Sequence, residues 1–141
     1  MKKKIILLSV FTLFALPIFA QSIFTAVKTN DINGIRFLSA NGVNVNARNA
    51  DGETPLIMAV ENGQLRIAKF LLEVDAKIDM KDKAGNTALI AAVNANNLEM
   101  VRFLINRGAN VDVTDKKHMK ALDYAKLTAN ADILSLFTSN S

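Results

Sequence analysis

The sequence contains no cysteine and no tryptophan, and it has one tyrosine, one histidine and two prolines among 141 residues. Without cysteine it forms no disulfide and no thiolate metal site, and it offers no thiol for lipid attachment. Small exported domains often lean on disulfides, so a domain here must be held by packing alone. Residues 21–141 are enough for that, because a chain of this length buries roughly 65% of its unfolded surface. A lone histidine leaves too few imidazole ligands for a transition-metal site. No Ser-His-Asp set, paired-carboxylate cleft or phosphate-cradling glycine loop is present. The chain is therefore expected to be no enzyme and to carry no cofactor and no metal. His118 lies among Lys116, Lys117 and Lys120, with Asp115 and Asp123 the only close acids in sequence. A general base also needs a nucleophile and a pocket, so a solvated loop histidine is the simpler reading.

A long apolar run is missing too. A membrane-spanning helix needs about 20 apolar residues. The best run, Ile5 to Leu16, is interrupted by Ser9 and Thr12 and closed by Pro17. Lys2, Lys3 and Lys4 precede it, and Ile18-Phe19-Ala20 follows before Gln21. Basic start, apolar centre and small residue at the cut is the order of a secretory signal. Residues 1–20 are expected to be a cleavable signal peptide, and no membrane anchor is expected after cleavage. Charge of one sign is scarce once that segment is set aside. Of 17 Lys+Arg, three stand in it with no acid, leaving 14 basic against 13 acidic residues. Such a balance does not favour nucleic acid or anionic lipid as a partner.

What the sequence does have is a period of 33 residues. At that shift Leu56, Leu89 and Leu122 align, as do Ala59, Ala92 and Ala125. So do Gly52 and Gly85, then Ile67, Met100 and Ile133, and then Leu71, Leu104 and Phe137. The same shift backwards reaches Ile23, Ala26, Phe37 and Leu38. Each period is helical twice. Pro55 to Glu61 places Leu56, Ala59 and Val60 on one face, and Leu65 to Val74 carries a broader apolar stripe. Thr54 suits an N-cap and Pro55 the first helical position. An extended Ala76-Lys77-Ile78-Asp79 is expected to lead to a turn at Ala84-Gly85, where glycine supplies positive φ. His118 falls at that glycine's position in the last copy. Phe37, Phe70 and Phe103 recur at one position and are expected in the core, with Met58 packed between repeats and Tyr124 at an inter-repeat seam.

Paired short helices and a finger at this period resemble the ankyrin repeat, whose T-P-L-H-x-A signature is matched by Thr54-Pro55-Leu56-Ile57-Met58-Ala59. Thr87-Ala88-Leu89-Ile90-Ala91-Ala92 and Lys120-Ala121-Leu122-Asp123-Tyr124-Ala125 follow at the same spacing. The run Gly108 to Asp112 fits as well. The usual His is replaced by Ile57, Ile90 and Asp123, so the tie that this His makes in the family, from finger to next repeat, is missing. The resemblance implies an all-α ankyrin-repeat solenoid of about four helix-turn-helix repeats with hairpin-like fingers. The repeats fall at approximately 22–48, 49–81, 82–114 and 115–138 within a domain spanning 21–141. The terminal copies should act as polar caps, with Lys126, Asp132 and Ser135 on the last pair.

The resemblance also implies binding of another protein on a concave face. Carried over by alignment, the candidate contacts on fingers are Ala50, Asp51, Glu53, Lys83, Ala84, Asn86, Lys116, Lys117 and Met119. On the first helices they are Lys28, Thr29, Glu61, Asn62, Asn94 and Ala95. The set is acidic at the second repeat and basic at the fourth. Lys116, Lys117, His118 and Lys120 read either as a solvated finger tip or as a contact for an acidic partner. The lysine-rich signal points to a bacterial periplasm, with secretion as the alternative. Exported proteins similar to this one serve as regulators, inhibitors or protective partners of another exported protein. A capped solenoid of near-neutral charge is expected to be a monomer.

Overall fold

The computed structural model describes residues 22–139. The expected signal at residues 1–20 lies outside them. Eight helices follow in order: α1 Ile23–Lys28, α2 Ile32–Ala40, α3 Pro55–Glu61, α4 Leu65–Glu73, α5 Ala88–Asn94, α6 Leu98–Asn106, α7 Ala121–Thr128 and α8 Ala131–Thr138. Among the described residues there is no strand, only an isolated antiparallel bridge between Thr114 and Lys120. The fold is an all-α solenoid. The helices pair as α1/α2, α3/α4, α5/α6 and α7/α8, and the first members stack α1–α3–α5–α7 as a continuous inner row.

Local chemistry fixes each pair. The buried hydroxyls of Thr54 and Thr87 accept hydrogen bonds from the Ile57 and Ile90 amides at 3.2 and 3.3 Å, which satisfies donors that a helix start leaves open. At α7 lysine replaces that threonine, and the Asp123 carboxylate accepts from the Lys120 amide at 2.9 Å instead. The second helices start on Asp31, Asn97 and Asn130, each accepting from an amide two or three residues on. Gln64 departs from this pattern. It makes no side-chain cap for α4; its Nε2 donates to the Val27 carbonyl of the preceding repeat at 2.8 Å, while its Oε1 is buried without a protein partner.

The aligned residues form the core. Leu56, Leu89, Ala59, Ala92, Ala125, Ile67, Met100, Ile133, Leu71 and Leu104 are all buried. Every buried leucine or isoleucine contributes about 1.5–3 kcal/mol, and no single pair could bury its stripe alone. Met58 and Tyr124 pack partly against this core. Lys126, Asp132 and Ser135 are exposed on the last pair.

Two expectations are corrected. Phe37 was placed in the core and is instead 54% exposed. Phe70 and Phe103 are half-buried beneath cations of the preceding repeat, Arg36 at 5.0 Å and Lys69 at 5.9 Å from the ring centres. Such contacts stabilise and cover the ring face. Among the described residues no earlier outer helix does this for Phe37. The Ala76–Asp79 stretch is not a continuous extended run either. A turn forms at Ile78-Asp79, and the Asp79 carboxylate accepts from the Asn110 amide of the next repeat at 2.9 Å.

Candidate functional site

Three fingers project beside the inner helices, each built on an Asn or Asp at its first position. Asn49, Asp82 and Asp115 accept with Oδ1 from amides two and four residues on: Asp51 and Glu53, Ala84 and Asn86, Lys117 and Met119. These short polar side chains organise a turn that a backbone alone would leave loose. The fingers are also joined to one another. The Lys83 amide donates to the Asp51 carbonyl at 3.1 Å, and the Lys116 amide to the Ala84 carbonyl at 3.0 Å. Lys81 Nζ donates to the Thr114 carbonyl at 2.7 Å, and an Arg48 guanidinium nitrogen to the Lys81 carbonyl. These bonds tie the fingers where the family's histidine does not.

Gly85 has φ +85°, and His118, at its position one repeat later, has φ +60°. A side chain at Gly85 would collide with the next finger. Histidine is tolerated at 118 because only the backbone twist has to be met there. His118 is exposed.

The structure places Lys28, Thr29, Ala50, Asp51, Glu61, Asn62, Lys83, Ala84, Asn94, Ala95, Lys116 and Lys117 in solvent. Glu53, Asn86 and Met119 are half-buried. Glu53 and Asn86 work inside their own fingers, with Asn49 Nδ2 donating to Glu53 Oε2 at 2.6 Å and Asn86 Nδ2 to Asp82 Oδ2 at 3.3 Å. Helix and finger positions meet at Glu61. Its carboxyl is pushed up to about 7 by desolvation, then by the charge and hydrogen bonding of Glu53, then by the charge of Asp82. These three carboxyls do not form a group that could hold a metal ion.

In the fourth repeat burial works to raise the Asp115 pKa. It is outweighed by hydrogen bonds from the Tyr124 hydroxyl and the Met119 and Lys117 amides, so the group stays below the usual carboxylate range. Tyr124 is correspondingly raised, chiefly by the same bond. Lys120 pairs with Asp112 at 2.7 Å, and that bond raises its pKa. Of the basic cluster, Lys120 is thus occupied within its repeat, whereas Lys116 and Lys117 extend into solvent.

One exposed side chain on this side was missed by sequence reasoning. Leu127, 72% exposed, stands 33 residues after Asn94 and 66 after Glu61. Extending the aligned row by one repeat finds it. On the opposite, outer side an open groove of about 570 Å³ runs between α2 and α4, lined by Arg36, Val43, Val45, Phe70 and Val74 among others. No helix among the described residues is long and apolar enough to cross a membrane.

Stacked helix pairs with fingers define a repeat solenoid, a class whose extended surfaces receive other proteins. Two family models match, one described as Ankyrin repeats (many copies) over residues 23–72 and one as Ankyrin repeat over residues 84–116. The chain belongs to the ankyrin-repeat family, whose members are protein-interaction modules and typically not enzymes. No curated protein matches it.

Proposed function

We propose that this is an exported module that binds another exported protein, most simply in the periplasm of a bacterium, as its regulator, inhibitor or protective partner. It works as a monomer, and it does so by holding a partner and not by catalysis. The observation that carries the reading is the chain of backbone hydrogen bonds from finger to finger. It sets exposed side chains of successive repeats in fixed register, and preorganised contacts lose little entropy on binding. The signal-like order of residues 1–20 supports export.

Affinity capture tests this. The chain from Gln21 onward, immobilised and exposed to bacterial envelope extract, is expected to retain a specific protein. Reversing charge at Asp51 and Glu53, or at Lys116 and Lys117, should weaken retention, the lysine pair without lowering the melting temperature, since Glu53 also accepts from Asn49 within its finger. Retention untouched by both pairs of changes would remove the finger surface from the reading. Fractionation of cells tests location, and protein found mainly in the culture medium would replace the periplasmic role with that of a secreted factor acting on a host or neighbouring cell.

A further inference from the structure

Two equivalent positions on the finger side change chemistry from repeat to repeat. Glu53 and Glu61 occupy them in the second repeat, Asn86 and Asn94 in the third, Met119 and Leu127 in the fourth. In the second repeat Glu61 is exposed and Glu53 is half-buried, held in its finger by Asn49. Met119, half-buried, and Leu127, exposed, hold these two positions in the fourth repeat. Tyr124 stands one turn before Leu127 on the same helix face. The finger tips also lose negative charge along the stack and end basic, from Ala50-Asp51 through Lys83-Ala84 to Lys116-Lys117. From the second repeat to the fourth the face therefore runs from acidic, through neutral amides beside Lys83, to an apolar spot edged by two lysines, with Lys28 at the Glu61 position of the first repeat.

We propose that this face seats one polypeptide segment of a partner protein in a single direction. A basic side chain of the segment lies over Glu53 and Glu61. An aliphatic or aromatic side chain covers Leu127 and Met119, with a carboxylate beside it facing Lys116 and Lys117. The proposal rests on the protein-binding reading above and adds the partner's chemistry and polarity. A single exposed leucine is ordinary on a protein surface. Here its charged frame and its register with Glu61 give it direction. A segment laid the other way would set like charges together at both ends, which is a strong bar to binding. Packed helices lie about 8–10 Å apart, so the acidic and apolar places, two repeats apart, are separated by about 20 Å. About six extended residues, or about 13 helical ones, span that distance.

The test is selection from a random peptide-display library whose members are long enough for about 13 helical residues. The chain from Gln21 onward is the target, and Kd is then measured for the selected synthetic peptides. Binders should carry a basic group at one end and an acidic-apolar pair at the other, at one of those two spacings. Leu127→Ser and the double change Lys116→Glu with Lys117→Glu should each weaken binding by about tenfold or more. Phe37→Ser, on the outer side, should leave Kd unchanged, with circular dichroism checking that every variant folds. Binders without that polarity, or indifferent to Leu127→Ser, would overturn the proposal and leave the protein-binding reading standing. The same holds for binders weakened only by Phe37→Ser. A library that yields no binder also overturns it, and if capture from envelope extract fails as well, the reading beneath it falls too.

Discussion

Substituting Gly85 by alanine isolates how firmly the fingers hold each other. A Cβ there would lie 2.8 Å from the Lys116 amide nitrogen and 3.0 Å from the Asp115 Cα. Both are backbone atoms, so the next finger must move as a unit. That movement breaks the bond from the Lys116 amide to the Ala84 carbonyl, 3.0 Å long. Gly108 supplies the control. It has the same φ of +85°, but a Cβ there meets nothing within 4 Å. Alanine in the left-handed region costs about 1 kcal/mol at either site. At Gly85 the lost hydrogen bond adds about 1 kcal/mol, and the steric overlap about another. Gly85→Ala should therefore cost about 3 kcal/mol and Gly108→Ala about 1 kcal/mol. At roughly 4 °C per kcal/mol for a domain of this size, the two should melt about 8 °C apart. Thermal unfolding followed by circular dichroism at fixed concentration measures the gap. His118→Gly belongs to the same series and should stabilise by about 0.5–1 kcal/mol, since only the twist is relieved. Equal losses at Gly85 and Gly108 would refute the argument that the fingers are locked backbone to backbone.

The carboxyl of Glu61 gives stability a pH dependence of a sign unusual for an acid. With its folded pKa near 7, against an ordinary 4.5, the folded protein keeps a proton between those values that the unfolded chain releases. Stability from this group is thus greatest below the unfolded value and is lost as pH rises toward the folded one. The side chain is exposed, so after solvent screening the effect should be about 1 kcal/mol, and Glu61→Gln should flatten it in urea titrations at pH 5 and pH 8. An identical slope in wild type and variant would exclude the Glu61 carboxyl as its source. The phenylalanine row should split by position. Phe103→Ala should cost about 3 kcal/mol in urea unfolding, as a packed ring does, whereas Phe37→Ser should stay within about 0.5 kcal/mol.

The fold was legible because its determinants repeat. Leu56, Leu89 and Leu122 share a phase with Ala59, Ala92 and Ala125, and a stack that buries one copy's stripe buries them all. The aligned position of His118 likewise carried over, since backbone conformation travels with the period. Burial at the ends did not carry over. Phe37 has the sequence position of Phe70 and Phe103, but Arg36 and Lys69 of the repeats before them lie over those two rings, joined at Phe103 by Arg107 of its own repeat, and Phe37 has no such repeat before it among the described residues. Leu127 escaped for a different reason. The candidate row on the first helices, carried over by alignment, stopped in the third repeat at Asn94 and Ala95, although one more step of the period leads to an apolar side chain in solvent. The finger ties were hidden too, because backbone amides and carbonyls leave no mark on residue type. Only the recurring Asn49, Asp82 and Asp115 hinted at them.

Gln64 shows what such a stack gives up locally for continuity. Its amide leaves the start of α4 to reach the Val27 carbonyl, so the opening turn of that helix has no side-chain lid while the seam behind it gains a crosslink. Solvent exchange should accordingly enter this chain first at Arg66 and Ile67, in advance of the matching amides of α2, α6 and α8. The first two helical pairs, fastened by one side chain, would then melt as a single unit and not one after the other.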